Sequence, residues 1–112
     1  MNRRNFAACL TAGLAVALSP RAAFAEDHLA EAIAHTREAI DHGQQGHAEV
    51  LATHAEVALT HANAALKEKA NPHTKEGIAH LEAAIAEGKK KDAAAATKHA
   101  EEALTHLQAA TK

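Results

Sequence analysis

The chain has 112 residues, room for one small domain, and carries 12 Lys and Arg, 14 Asp and Glu, and ten His. It holds two Phe, no Tyr, no Trp and a single Cys. That composition excludes a nucleic-acid interface, which needs a basic face and stacking aromatics, and it excludes a disulfide within the chain.

Residues 1–25 read as a cleaved signal peptide: Arg3 and Arg4 open it, 6–18 is an uncharged apolar run, and Ala23-Phe24-Ala25 supplies the small residues of a cleavage site. The run is shorter than the roughly 20 residues that span a bilayer. No stable membrane insertion of the mature protein is expected, and its expected place is the periplasm. Asn2-Arg3-Arg4-Asn5-Phe6, with Arg21 near the cleavage site, resembles a twin-arginine signal, so both the Sec and twin-arginine routes stay open. Cys9 lies inside the apolar run and is not expected to be lipidated. The remaining domain, 26–112, keeps all ten His and has a charge of about minus five.

In that domain the histidines recur every seven residues: His28, His35, His42; His47, His54, His61; His73, His80; His99, His106. The period breaks at turn signals. Gly43-Gln44-Gln45-Gly46 is the first, with Gly43 suited to a helix C-cap. Asn71-Pro72 is the second, an N-cap followed by proline at the first helical position. Gly88 and Lys89 to Lys91 are the third, with Asp92 able to cap the last helix. The rich content of Ala, Leu, Glu and Lys favours helix throughout, which predicts helices over 27–42, 47–69, 72–87 and 92–110. Short connections make neighbours antiparallel, so the expected fold is all-α, an up-down-up-down four-helix bundle.

Heptad letters can be assigned from the apolar residues. Leu29, Ile33, Thr36 and Ile40 set the first helix and Ala52, Ala55, Leu59, Ala62 and Leu66 the second. Ile78, Leu81 and Ile85 set the third; Leu104 and Leu107 set the fourth. Every histidine then falls at position c, a column completed by Glu68, Glu87 and Asp92. Position g, between c and the core, is almost always small: Ala32, Ala39, Gly46, Ala58, Ala65, Gly77, Ala84, Ala96, Ala103 and Ala110, with Leu51 the exception. Only thirteen Leu, Ile and Val serve the domain. At roughly 1.5 to 3 kcal/mol each they predict a marginally stable metal-free protein, which metal would stabilise by mass action.

Histidines seven apart on one helix stand about 10 Å apart along the axis. They cannot share an ion whose bonds to nitrogen are about 2 Å. Second ligands must come from neighbours three or four residues away or from another helix. Glu31, Glu38, Glu76 and Glu102 each lie between two histidines at steps of three and four, where helix side chains meet; the plainer alternative is that they only solubilise the face. The second helix has Val50, Val57 and Ala64 at those positions, so its histidines need partners elsewhere. The small g residues let helices approach and predict histidine pairs between helices.

Cleavage after Ala25 would leave Glu26-Asp27-His28, whose amine, two amides and imidazole suit square-planar Cu(II) or Ni(II); in the alternative, Asp27 is a helix N-cap. Imidazole with carboxylate suits Cu(II), Zn(II) and Ni(II), with Cu(II) favoured by general affinity. No Cys or Met remains for Cu(I), no Cys-x-x-Cys-His for haem, and no inward Glu-x-x-His pair for a di-metal core. Enzymatic work is not expected. A column of histidines also titrates near neutral pH, which keeps a pH-responsive structural bundle in view.

These features resemble the small metal-binding proteins of the bacterial periplasm, over nearly all of 26–112 and in segments such as His99-Ala100-Glu101-Glu102-Ala103-Leu104-Thr105-His106-Leu107. The resemblance implies a short exported four-helix bundle that binds several copper or other divalent ions for storage, buffering or detoxification. The expectation is therefore metal buffering by a monomer, with metal-bridged oligomers an open alternative. A chaperone delivering copper to a partner is the rival function. The second helix departs from the pattern in lacking the Glu positions.

Overall fold

Asp27 opens the first helix: its carboxylate accepts a hydrogen bond from the Ala30 amide at 3.0 Å, and α1 runs His28–Gln44. The computed structural model describes residues 27–112, so the expected leader over 1–25 and Glu26 lie outside the described residues. α2 spans Ala48–Glu68, α3 Pro72–Lys89 and α4 Ala93–Ala110. No strand occurs among the described residues. Asn71 caps α3 through the His73 amide at 2.8 Å, with Pro72 just inside, and Asp92 caps α4 through the Ala95 amide at 3.1 Å. His47 occupies the N-cap of α2 without a side-chain bond, so that helix starts one residue later than its period predicts.

Two glycines behave differently from their expected role as breaks. Gly43 and Gly88 are buried inside α1 and α3, and the left-handed turn residues are Gly46 (φ 85°) and Lys91 (φ 68°). Close approach is the reason. A Cβ on Gly43 would overlap Thr97 Oγ1 of α4 and stand 2.6 Å from Leu51 Cδ1; one on Gly88 would meet Ala48 O of α2 at 2.8 Å and Ala52 Cβ at 3.0 Å. These glycines let one helix lie against the next, a packing need that outweighs the entropic cost of glycine in a helix.

Those two contacts are counterparts. Shifting 28–67 by 45 residues places His28, Glu31, Ile33, His35, Ile40, Gly43, His54, Glu56, Leu59, Thr60 and His61 on His73, Glu76, Ile78, His80, Ile85, Gly88, His99, Glu101, Leu104, Thr105 and His106. The domain is thus a helical hairpin repeated once, α1–α2 and then α3–α4. The same shift carries Gly46 onto Lys91 and Ala52 onto Thr97, so each half offers its glycine to the same position of the other.

Consecutive helices pack together, α1 and α4 close the arrangement, and α2 and α4 touch along a diagonal. Of the seam residues chosen from the apolar pattern, Thr36, Ala55, Ala62, Leu81 and Leu107 are fully buried, but others are not. Ala32, Ala39, Ala58, Ala84, Ala96 and Ala103 are fully buried, whereas Leu29, Ile33, Leu59, Ile78, Ile85 and Leu104 are partly buried and pack against that centre. Alanines and the fully buried Leu51, Leu81 and Leu107 make up the centre, and the partly buried branched side chains fill the space on either side. Where the g column carries the larger Leu51, Gly43 stands opposite; where Leu107 replaces the small Ala62 of the first half, Gly77 makes room at 2.8 Å. Thr36, at zero exposure, satisfies its hydroxyl on the Ala32 carbonyl at 2.7 Å. No helix among the described residues is long and apolar enough to cross a membrane.

Candidate metal centre

The alanine seams bring histidines of sequential helices face to face. Across α1 and α2 the rings pair His28 with His61, His35 with both His54 and His61, and His42 with both His47 and His54, at centroid distances of 5.0 to 6.2 Å. The pairing runs up one helix as it runs down the other. Together the six rings form one zigzag ladder. Across α3 and α4 a shorter ladder joins His73 to His106, His106 to His80 and His80 to His99 at 5.5 to 5.9 Å. It ends there because Glu87 and Asp92 stand at the positions equivalent to His42 and His47.

All ten histidines therefore join an inter-helix pair, as the small g column predicts. Most are half-buried rather than on a solvated face: His28, His35, His54 and His80 keep 24 to 28% of their side-chain surface. His47 and His73 are exposed, at the outer ends of the two ladders.

Carboxylates join at fixed places. Glu38 Oε1 lies 3.1 Å from His35 Nδ1 on its own helix and 3.3 Å from His54 Nδ1 on α2. Glu102 Oε1 lies 3.5 Å from His99 Nδ1 on its own helix and 3.3 Å from His80 Nδ1 on α3. Glu31, 3.8 Å from His35 Nε2, forms a group with His35 and His61, and Glu76 forms the equivalent group with His80 and His106. Each of the four groups brings two imidazoles and one carboxylate to within 4.8 Å of one another. The partners that α2 lacks on its own surface come from α1.

Several details depart from the sequence pattern. Glu38 reaches across to His54 instead of joining His42, and Glu102 joins His99 and His80 in one group while Glu76 joins His106. Glu68, in the seven-residue column but not expected as a principal ligand, stands 3.8 Å from His28 Nε2, while His28 Nδ1 lies 3.1 Å from His61 Nδ1. Asp27 is engaged as N-cap; the proposed amino-terminal Cu(II) motif also needs Glu26, outside the described residues. Nδ1 of His35, His42 and His99 is shielded from solvent and makes no hydrogen bond, even though for His35 and His99 a Glu oxygen stands 3.1 and 3.5 Å away. A shielded nitrogen without a hydrogen-bond partner is costly, and a bound cation between it and the nearby carboxylate would remove the cost.

Paired imidazoles with a carboxylate, repeated along two helical seams, define a helical metal-binding protein. The chain belongs to the small metal-binding protein family, which matches residues 3–110. A comparison with curated proteins gives no match.

Proposed function

We propose that the protein is a periplasmic buffer for divalent transition metal, chiefly Cu(II), exported by a signal peptide over residues 1–25 and working as a monomeric, antiparallel up-down-up-down bundle. The observation that carries this reading is the Glu38 carboxylate held within 3.3 Å of imidazole nitrogens from two helices, repeated within 3.5 Å at Glu102. His35, His54, His61, Glu31 and Glu38 serve the first half; His80, His99, His106, Glu76 and Glu102 serve the second. His28, His42, His47 and His73 extend the two ladders and provide weaker positions of uptake. Imidazole and carboxylate together suit Cu(II) over Zn(II) and Ni(II) on general affinity. Multiple unequal positions suit holding metal over a range of free concentrations.

Calorimetric titration of the protein with Cu(II), Zn(II) and Ni(II) tests this. Several Cu(II) ions per chain with graded affinities, tighter than Zn(II), are expected. Fewer than two tight Cu(II) ions per chain would defeat the buffering function.

A further inference from the structure

His35 belongs to two of the four ligand groups, and it turns a different nitrogen to each. Its Nε2 faces Glu31, in the group completed by His61, at 3.8 Å; its Nδ1 faces Glu38, in the group completed by His54, at 3.1 Å. His80 is likewise shared by the Glu76–His106 and His99–Glu102 groups. Other residues of these groups belong to one group each. The ring of His35 lies parallel to that of His61, at 2° and 5.8 Å, and within 23° of that of His54, at 6.2 Å, so it stands between a histidine on either side.

We propose that His35 and His80 are bridging ligands, each joining two divalent ions through its two ring nitrogens, so that each half of the protein holds a dinuclear centre. This rests on the metal-binding role of the seams proposed above. In the first half one ion takes Glu31, His61 and His35 Nε2, and the other takes Glu38, His54 and His35 Nδ1. A neutral imidazole has one free lone pair and one N–H. When the second ion binds, that N–H proton leaves to solvent and the released pair forms the second metal–nitrogen bond. One proton is set free per bridge, and nothing is oxidised or reduced. With bonds of about 2 Å on opposite sides of the ring, the two ions stand about 6 Å apart. The shielded, hydrogen-bond-free Nδ1 of His35 fits a nitrogen reserved for this purpose.

A shared ring predicts a different mutational arithmetic from separate sites. The test is Cu(II) saturation of the full chain, read by bound copper and by the low-temperature electron paramagnetic resonance spin count. Two Cu(II) ions joined through one imidazolate couple their spins and drop out of the count of isolated ions. His35→Ala is expected to lower bound copper by two ions while leaving the isolated-spin count unchanged. His54→Ala is expected to lower it by one and to add one isolated spin, because the ion left on Glu31, His61 and His35 loses its partner. Circular dichroism confirms that each variant remains helical.

If every bound Cu(II) of the unaltered protein appears in the isolated count, or if His35→Ala removes one ion only, the bridge is overturned while metal binding at the seam stands. If neither variant changes the copper bound, the underlying assignment of the seam fails, and the bridge with it.

Discussion

Glu38 on α1 lies 3.3 Å from His54 on α2, and that contact supplies the carboxylate that the second helix, with Val57 at the place of a Glu, does not offer His54. In the second half the same service runs the other way: Glu102 on α4 reaches His80 on α3. Under the 45-residue shift Glu38 corresponds to Ala83 and Val57 to Glu102. The two hairpins place one carboxylate between one pair of histidines from opposite sides.

Glu38→Ala should therefore weaken Cu(II) binding in the first half by about tenfold or more, and adding Val57→Glu should restore most of the loss by recreating the Ala83–Glu102 arrangement. Competition with a chromophoric chelator, in a His80→Ala background that silences the second half, measures both. Failure of the second substitution to recover affinity would show that the halves are not interchangeable at this position.

Gly77 and Leu107 should behave as a coupled pair. Gly77→Ala forces a Cβ to within 2.8 Å of the fully buried Leu107 side chain and should destabilise by about 1 to 3 kcal/mol. Leu107→Ala alone should cost about 2 to 5 kcal/mol through the cavity it leaves. The double variant reproduces Ala32 and Ala62 of the first half, so its cost should fall clearly below the sum of the two. Urea denaturation of the four proteins gives the coupling, and strict additivity would refute it.

Lys91 adopts the left-handed conformation that Gly46 adopts in the first half. Lys91→Gly should stabilise the protein by roughly 1 kcal/mol or less, since relief of the backbone cost exceeds the added freedom of the unfolded chain. The ion pair it removes, Lys91 to Glu49 at 3.8 Å with both side chains exposed, contributes little. A thermal midpoint that does not rise would contradict this account of the turn.

Cu(II) should raise the thermal midpoint in proportion to the logarithm of its free concentration, by the equivalent of about 2.7 kcal/mol at one hundred times a site's dissociation constant. A chelator should return the midpoint to its starting value. Thermal melts across a copper series provide the check, and a midpoint indifferent to copper would mean that the metal does not favour the folded form.

Much of this organisation is legible in the sequence because histidine period, caps and helix breaks are local signals. Asp27, Asn71 and Asp92 stand at the N-caps they suggest, and the small g column does admit histidines from both sides of a seam. Gly43 and Gly88 mislead because glycine serves equally at a helix end and at a close helix crossing, and only tertiary packing separates the two uses. The apolar pattern similarly points to Leu29, Ile33 and Ile78 as the seam, although the fully buried centre holds Ala32, Ala39 and Ala84. The reach of Glu38 to His54 has no sequence period of its own. The 45-residue repeat does carry a signal for it, because Glu102 occupies the place left empty by Val57.

Gly43 against Thr97 and Gly88 against Ala52 are one contact made twice. The protein thus has, in a single polypeptide, the reciprocal interface of a symmetric dimer. Its ligand groups lie within each hairpin, whereas these reciprocal contacts lie between the hairpins. Tethering keeps the two halves at a high effective concentration for each other. A pair of separate hairpins would come apart on dilution; the fused chain keeps both histidine seams assembled however few copies are present.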